Sequence, residues 1–137
     1  MSTEMTMPGR RGVGGVRVRL AVAVALPLAR LRPDRLCRVL RFVGRGARPV
    51  PYGDALAAYE AVVGASRRCA GWYGCLPRSL AVTLLCRLGG AVPAWHAGVR
   101  AAPPFAPHAW VTAEGRVVGE RATADEYRPL LTVPAGR

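Results

Sequence analysis

Lysine, isoleucine, asparagine and glutamine are absent from these 137 residues. Alanine, glycine, proline, arginine and valine abound instead, as they do when a very GC-rich genome writes a protein. All 20 basic residues are therefore arginine, and with 8 acids the formal charge is +12. Part of that excess reflects codon supply, but the resulting field still attracts acidic partners. Other absences narrow the choice. The arginines are not interleaved with aromatic residues and no base-reading motif occurs, so no nucleic-acid partner is expected. Cys37, Cys69, Cys75 and Cys86, with His96 and His108, show neither C-x2-C nor H-x3-H spacing. Neither a structural zinc site nor any cofactor is expected. A secretory signal of the usual layout is lacking, and the most apolar N-terminal run, Leu20 to Leu28, contains Pro27 and is too short to span a bilayer. The expected compartment is the reducing cytoplasm, with free thiols and no membrane partner.

About half of the chain is apolar (51%), enough for one core in a domain of this length. Residues Met1 to about Gly15 are small, basic and glycine-rich and read as a flexible tail before a single domain, 16–137. Val16 to Arg30 reads as a helix broken near Pro27, or as an apolar element packed on the rest. Pro33-Asp34 opens a second helix, Arg35 to Val43, with Leu36, Val39 and Leu40 on one stripe. Asp54 is expected to cap a third, Ala55 to about Arg67, whose apolar side is Leu56, Tyr59, Val62 and Val63. A fourth, about Leu76 to Leu88, ends at Gly89-Gly90. Only Arg78, Ser79, Thr83 and Arg87 interrupt its apolar character, so it is predicted to be buried. Short β-type runs follow at Ala91–Arg100, Ala109–Ala113, Arg116–Val118 and Leu130–Val133. Helices over about 16–88 and then a small antiparallel sheet over 91–137 make an α+β fold.

Cys75 falls where a glycine-containing loop meets the start of the buried helix, with Pro77 in the first turn, where proline fits best. Free amides and the positive end of the helix dipole converge there and favour the thiolate. Since the chain has no glutamine, an oxyanion hole falls to those backbone amides. A thiolate that attacks a carbonyl needs a base, and His108, opening the strand HAWVTA, is the candidate. The hairpin loop decides what it faces. A two-residue turn pairs Ala113 with Arg116 and sets His108 opposite Arg121. A three-residue loop, Ala113 to Gly115, pairs Thr112 with Arg116 and His108 with Glu120, and glycine at the third loop position favours that register. Glu120 then orients the imidazole as the third member of a triad; Asp125 and the turn residue Glu114 are the alternatives. His96 reads as a packed or partly exposed strand histidine. Trp72, Tyr73 and Trp110 line a cleft or pack in the core, and Arg78 supports the thiolate, binds a substrate acid or forms a plain salt bridge.

The ordered runs CLPRSLA at Cys75 to Ala81, P-x-W-H-x-G-V-R at Pro93 to Arg100 and P-F-x-x-H-A-W-V at Pro104 to Val111 resemble the lasso-peptide leader peptidases. The similarity covers about Arg35 to Val133 and is closest to the short form, in which protease and recognition module are separate proteins. These belong to the transglutaminase-like cysteine proteases, with a papain-like core and a Cys-His-Asp triad. By that resemblance Cys75 is the nucleophile and His108 the base, while Glu120 stands where the family most often has aspartate. The resemblance implies a precursor peptide as substrate, a separate leader-recognition protein, and an ATP-using cyclase acting on the new N-terminus. An amide transferase with the same triad, or a non-catalytic peptide-binding scaffold, are the alternative readings.

Overall fold

The computed structural model of the protein describes residues 15–71, 74–120 and 124–135. Within these residues the chain forms five helices and then a small antiparallel sheet, the α+β order expected. The tail expected at Met1 to Gly15 lies, apart from Gly15, outside the described residues.

Helix α1, Val16–Leu28, runs unbroken, because Pro27 sits in its last turn, where the lost i−4 hydrogen bond comes just before the helix ends. Helix α2 covers Pro33–Val43, with proline in the first turn and Leu36, Cys37 and Leu40 facing inward. Helix α3, Tyr52–Ala65, starts earlier than expected. Asp54 does not cap it: Pro51 holds the cap position and Asp54 lies in the first turn, where its charge still suits the helix dipole. Its buried stripe is Ala55, Ala58 and Val62, with Leu56 and Tyr59 at the margin. Small residues face inward on α1 (Ala21, Ala25) as well as α3, so neighbouring helices approach closely. A single turn, α4 (Arg67–Ala70), was not foreseen; Ser66 caps it by accepting from the Cys69 amide at 3.2 Å.

Helix α5, Cys75–Leu88, is the centre of the molecule, with α1 and α3 against it on one side and the sheet on the other. Its expected burial is observed, and each of its four polar side chains is satisfied. The Ser79 hydroxyl donates to the Leu76 carbonyl at 2.9 Å and accepts the Trp95 indole N–H at 2.9 Å. Thr83 donates to the Ser79 carbonyl at 3.0 Å. Arg87 reaches the carbonyls of Val43 and Arg45, and Arg78 that of Cys69.

The apolar run Ala91–Arg100 divides at Pro93. Strand β2, Ala91–Val92, pairs in parallel with β1, Arg48–Pro49, a bridge not foreseen, while β3 (Ala94–Arg100) enters the main sheet. That sheet adds β4 (Pro107–Ala113), β5 (Arg116–Val117) and β6 (Tyr127–Val133) in the order β5-β4-β3-β6. Ala109, Val111 and Trp95 face the helices. His96, His108, Trp110 and Tyr127 come together on the other side.

Trp95 is 1% exposed and bonds the helix directly. Trp95→Phe removes the indole donor and leaves a buried Ser79 oxygen short of a partner, a cost of about 1–3 kcal/mol. The expected outcome is a lower denaturant midpoint with an unchanged slope, read by urea titration.

Candidate active site

Gly74 and Cys75 form the entry to α5. A side chain at Gly74 would overlap the Arg68 carbonyl, so only glycine lets the entry pack so tightly on α4. The first-turn amides of Cys75 and Leu76 have no acceptor inside the helix, and Pro77 contributes no donor to the third position. Cys75 is half-buried, whereas Cys37, Cys69 and Cys86 are buried. Burial pushes the Cys86 thiol up to about 12 and raises that of Cys37, so both remain inert thiols.

Cys75 is different. Burial works against its thiolate, but it is outweighed by the His108 hydrogen bond, the Ala109 amide, and the charges of His108 and Arg78. The thiol lies below its ordinary value. For His108, burial alone would disfavour the charged ring; hydrogen bonds to Cys75 and Glu120 and their negative charges raise it to about 9. Each group therefore favours the charged form of the other, toward a thiolate–imidazolium pair, and the two titrate together. His108 Nε2 lies 2.9 Å from Glu120 Oε1, which leaves Nδ1 for the sulfur. The side chains of His108 and Glu120 are 18% and 14% exposed, so water screens their attraction little.

The loop that joins β4 to β5 does not have the expected length. Ala113 pairs with Arg116 across a two-residue turn, Glu114-Gly115, with φ 55° and 76°. Both positive values mark the I′ turn, whose twist matches the strands, and this outweighs the three-residue alternative. Glu114 is held in this conformation by accepting the Tyr52 amide at 2.8 Å, so its carboxylate belongs to a turn contact. The ladder then runs on through the Val118 amide to the Val111 carbonyl at 3.0 Å. Continued in step, it would set Ala109 against Glu120 and leave His108 without it. Gly119, at φ 79°, turns the chain out of the ladder and swings Glu120 onto His108. The Tyr59 ring lies where a Gly119 side chain would be, so the position excludes any other residue twice over. The expected neighbour is present, but by a different route. Arg121 lies outside the described residues, and Asp125 lies in the 3-10 turn Ala124–Glu126.

Tyr127 was not foreseen. Its hydroxyl donates to the same Glu120 oxygen at 2.9 Å, and its ring stacks on His108 at 4.7 Å and lies tilted against Trp110 at 4.7 Å. Burial and the Glu120 bond keep the phenol protonated and donating. No local signal marks it, since β6 reaches the site only through its pairing with β3. Trp110, 3% exposed, is packed among His96, His108 and Tyr127; Trp72 and Tyr73 lie outside the described residues. His96 is a packed histidine: its nitrogens meet the hydroxyls of Thr132 at 3.1 Å and Thr112 at 2.9 Å, and burial disfavours its charged form. Arg78 donates to the Cys69 carbonyl at 2.8 Å, lies 5.8 Å from the Tyr59 ring and lends its charge to Cys75.

With a thiol biased toward thiolate at a helix start, an imidazole beside it and a carboxylate behind, the arrangement is equipped for nucleophilic attack on a carbonyl. The family model of the transglutaminase-like superfamily matches residues 18–132, which include all of these groups. No curated protein and no solved structure matches the chain.

Iodoacetamide should alkylate Cys75 selectively in the native protein, with a pH midpoint below that of an ordinary thiol. Glu120→Gln removes the charge that holds His108 protonated. It should move that midpoint up by about one unit, slowing alkylation about tenfold at pH values well below the midpoint. Gly119→Ala, which displaces the same carboxylate, should shift the midpoint in the same direction. An unchanged midpoint in both variants would remove Glu120 from the site.

Proposed function

Because the chain belongs to the transglutaminase-like superfamily, we propose that it is a cysteine peptidase that removes the leader from a lasso-peptide precursor. The observation that carries this reading is the hydrogen-bonded series Cys75–His108–Glu120 at the start of a buried helix. The substrate class is supported by the ordered motifs around Cys75, Trp95-His96 and His108. A separate leader-recognition protein and an ATP-using cyclase, all in the cytoplasm, complete the reading.

In this reading the Cys75 thiolate attacks the carbonyl carbon of the last leader residue. A C–S bond forms, the carbonyl π pair moves onto oxygen, and the amides of Cys75 and Leu76 receive the oxyanion. Collapse breaks the C–N bond, and imidazolium His108 gives its proton to the departing amine, the new N-terminus of the core. Neutral His108 then takes a proton from water as it attacks the thioester. The acid leaves, and the thiolate–imidazolium pair is restored. Glu120 keeps the ring oriented and stabilises its charged form without taking its proton. Tyr127 and the ring stack hold Glu120 and His108 in register.

The superfamily match also accommodates an amide transferase, whose chemistry is identical up to the thioester and which admits an amine instead of water. Incubation of precursor, recognition protein and this chain, read by mass spectrometry, separates the two: leader and core fragments against a cross-linked adduct. Cys75→Ala should abolish cleavage; cleavage that survives it would show that Cys75 is not the nucleophile. The rate should fall as pH rises through about 9, where His108 loses the proton the leaving amine needs.

A further inference from the structure

Helix α1 has more apolar surface than it buries. Val18, Ala21 and Ala25 face inward, while Val16, Leu20 and Val24 on another side are 72%, 55% and 47% exposed. A helix apolar on two sides belongs between two partners; among the described residues the inner stripe of α1 packs on α5 and α3, and the outer stripe stays exposed. Next to its outer stripe, Phe42 of α2 and Leu88 of α5 are 69% and 50% exposed. With Leu20, Val24, Val43 and Leu84 they wall a groove of about 510 Å³. Contiguous apolar surface of this kind marks an interaction site.

The groove's rim is cationic. Among the described residues, Arg45 and Arg87 are the charged residues that line it, and the Arg45 guanidinium stands 5.9 Å over the Phe42 ring. Arg87 is fixed by the carbonyls of Val43 and Arg45, which makes that wall rigid. Arg17 and Arg19 are exposed along α1. A second copy of this chain, itself at +12, is a poor complement. A flat lipid surface does not fill a concave groove walled by three helices. An apolar stripe flanked by carboxylates does.

We propose that this groove is the docking site for an acidic amphipathic helix of a second protein, seated by helix-in-groove packing. It lies at the far end of α5 from Cys75, about 20 Å away along its 14 residues. Docking there leaves the nucleophile open and places the bound protein within reach of a short extended peptide leading into the site. The inference rests on the proposed function only in identifying that protein as the leader-recognition partner.

The test uses the full chain and two fluorescein-labelled helical peptides with leucine at i, i+3, i+4 and i+7. One is flanked by glutamate and the other by lysine. The glutamate peptide should bind about tenfold tighter in anisotropy titrations at low salt, with the advantage shrinking as salt is added. Leu20→Glu and, separately, Phe42→Glu should abolish its binding while leaving Cys75 alkylation unchanged. Equal binding of the two peptides, or binding untouched by both variants, would overturn the proposal. So would a dimer, or adhesion to phosphatidylglycerol vesicles, that Leu20→Glu abolishes. If the groove behaves as proposed but the wild-type chain with its partner cleaves no precursor, the leader-peptidase reading fails and the docking surface stands.

Discussion

A buried imidazole held between a thiol and a carboxylate is the constraint on which the rest of this molecule depends. Desolvation disfavours charge on His108 and on Cys75 alike, so neither would ionise alone in that setting. Together, with Glu120 behind the ring, each favours the charged form of the other. The pair therefore needs three groups from three elements brought within hydrogen-bond distance: the entry of α5, the first residues of β4, and the segment beyond Gly119. Charge separation in a half-buried site is costly unless every polar neighbour is aligned. Tyr127 supplies part of that alignment by donating to the Glu120 oxygen that also faces His108.

The scaffold serves this arrangement by making its central helix immobile. Leu80, Ala81 and Val82 on α5 are fully buried, and a helix surrounded in its middle cannot shift without opening the core. Its polar side chains tie it to the sheet through Ser79–Trp95, to α4 through Arg78, and to the end of α2 through Arg87. One end presents a thiol to β4, and the other closes one wall of the arginine-rimmed groove. A single rigid element thus links a reactive group to the apolar surface proposed to receive a partner.

The aromatic layer on the far side of the sheet has a related role. His96, Trp110, Tyr127 and His108 stack in succession, with centroids 4.7–5.8 Å apart. The two histidines have opposite environments within it. His96 meets two neutral threonine hydroxyls and burial disfavours its charge; His108 meets a thiol and a carboxylate and is held charged. The neighbours, not the strand position, separate a packing histidine from a reactive one.

Much of this was legible in the sequence. The buried helix follows from its leucine spacing, its start from Gly74 and Pro77, and its end from Gly89-Gly90, because these are local properties of a 3.6-residue period and its caps. The prominence of Cys75 follows from the same local physics. His108 was legible as a strand-opening candidate. Glu120, expected opposite His108, does lie against it, though the expectation rested on a hairpin length that the turn Glu114-Gly115 does not have. A one-residue change of register reverses which face a side chain takes, and no local signal revealed that Gly119 would reverse it again. That turn depends on Tyr59, far back in α3, lying where a side chain would be. Tyr127 was equally beyond reach, since it arrives through β6 pairing with β3 across more than thirty intervening positions on average. The sequence by itself determined the helices, the thiol at a helix start and the strand histidine, because each rests on neighbours in the chain. Only the tertiary structure decided which carboxylate holds the imidazole and what clamps it, because those groups meet through packing between distant segments.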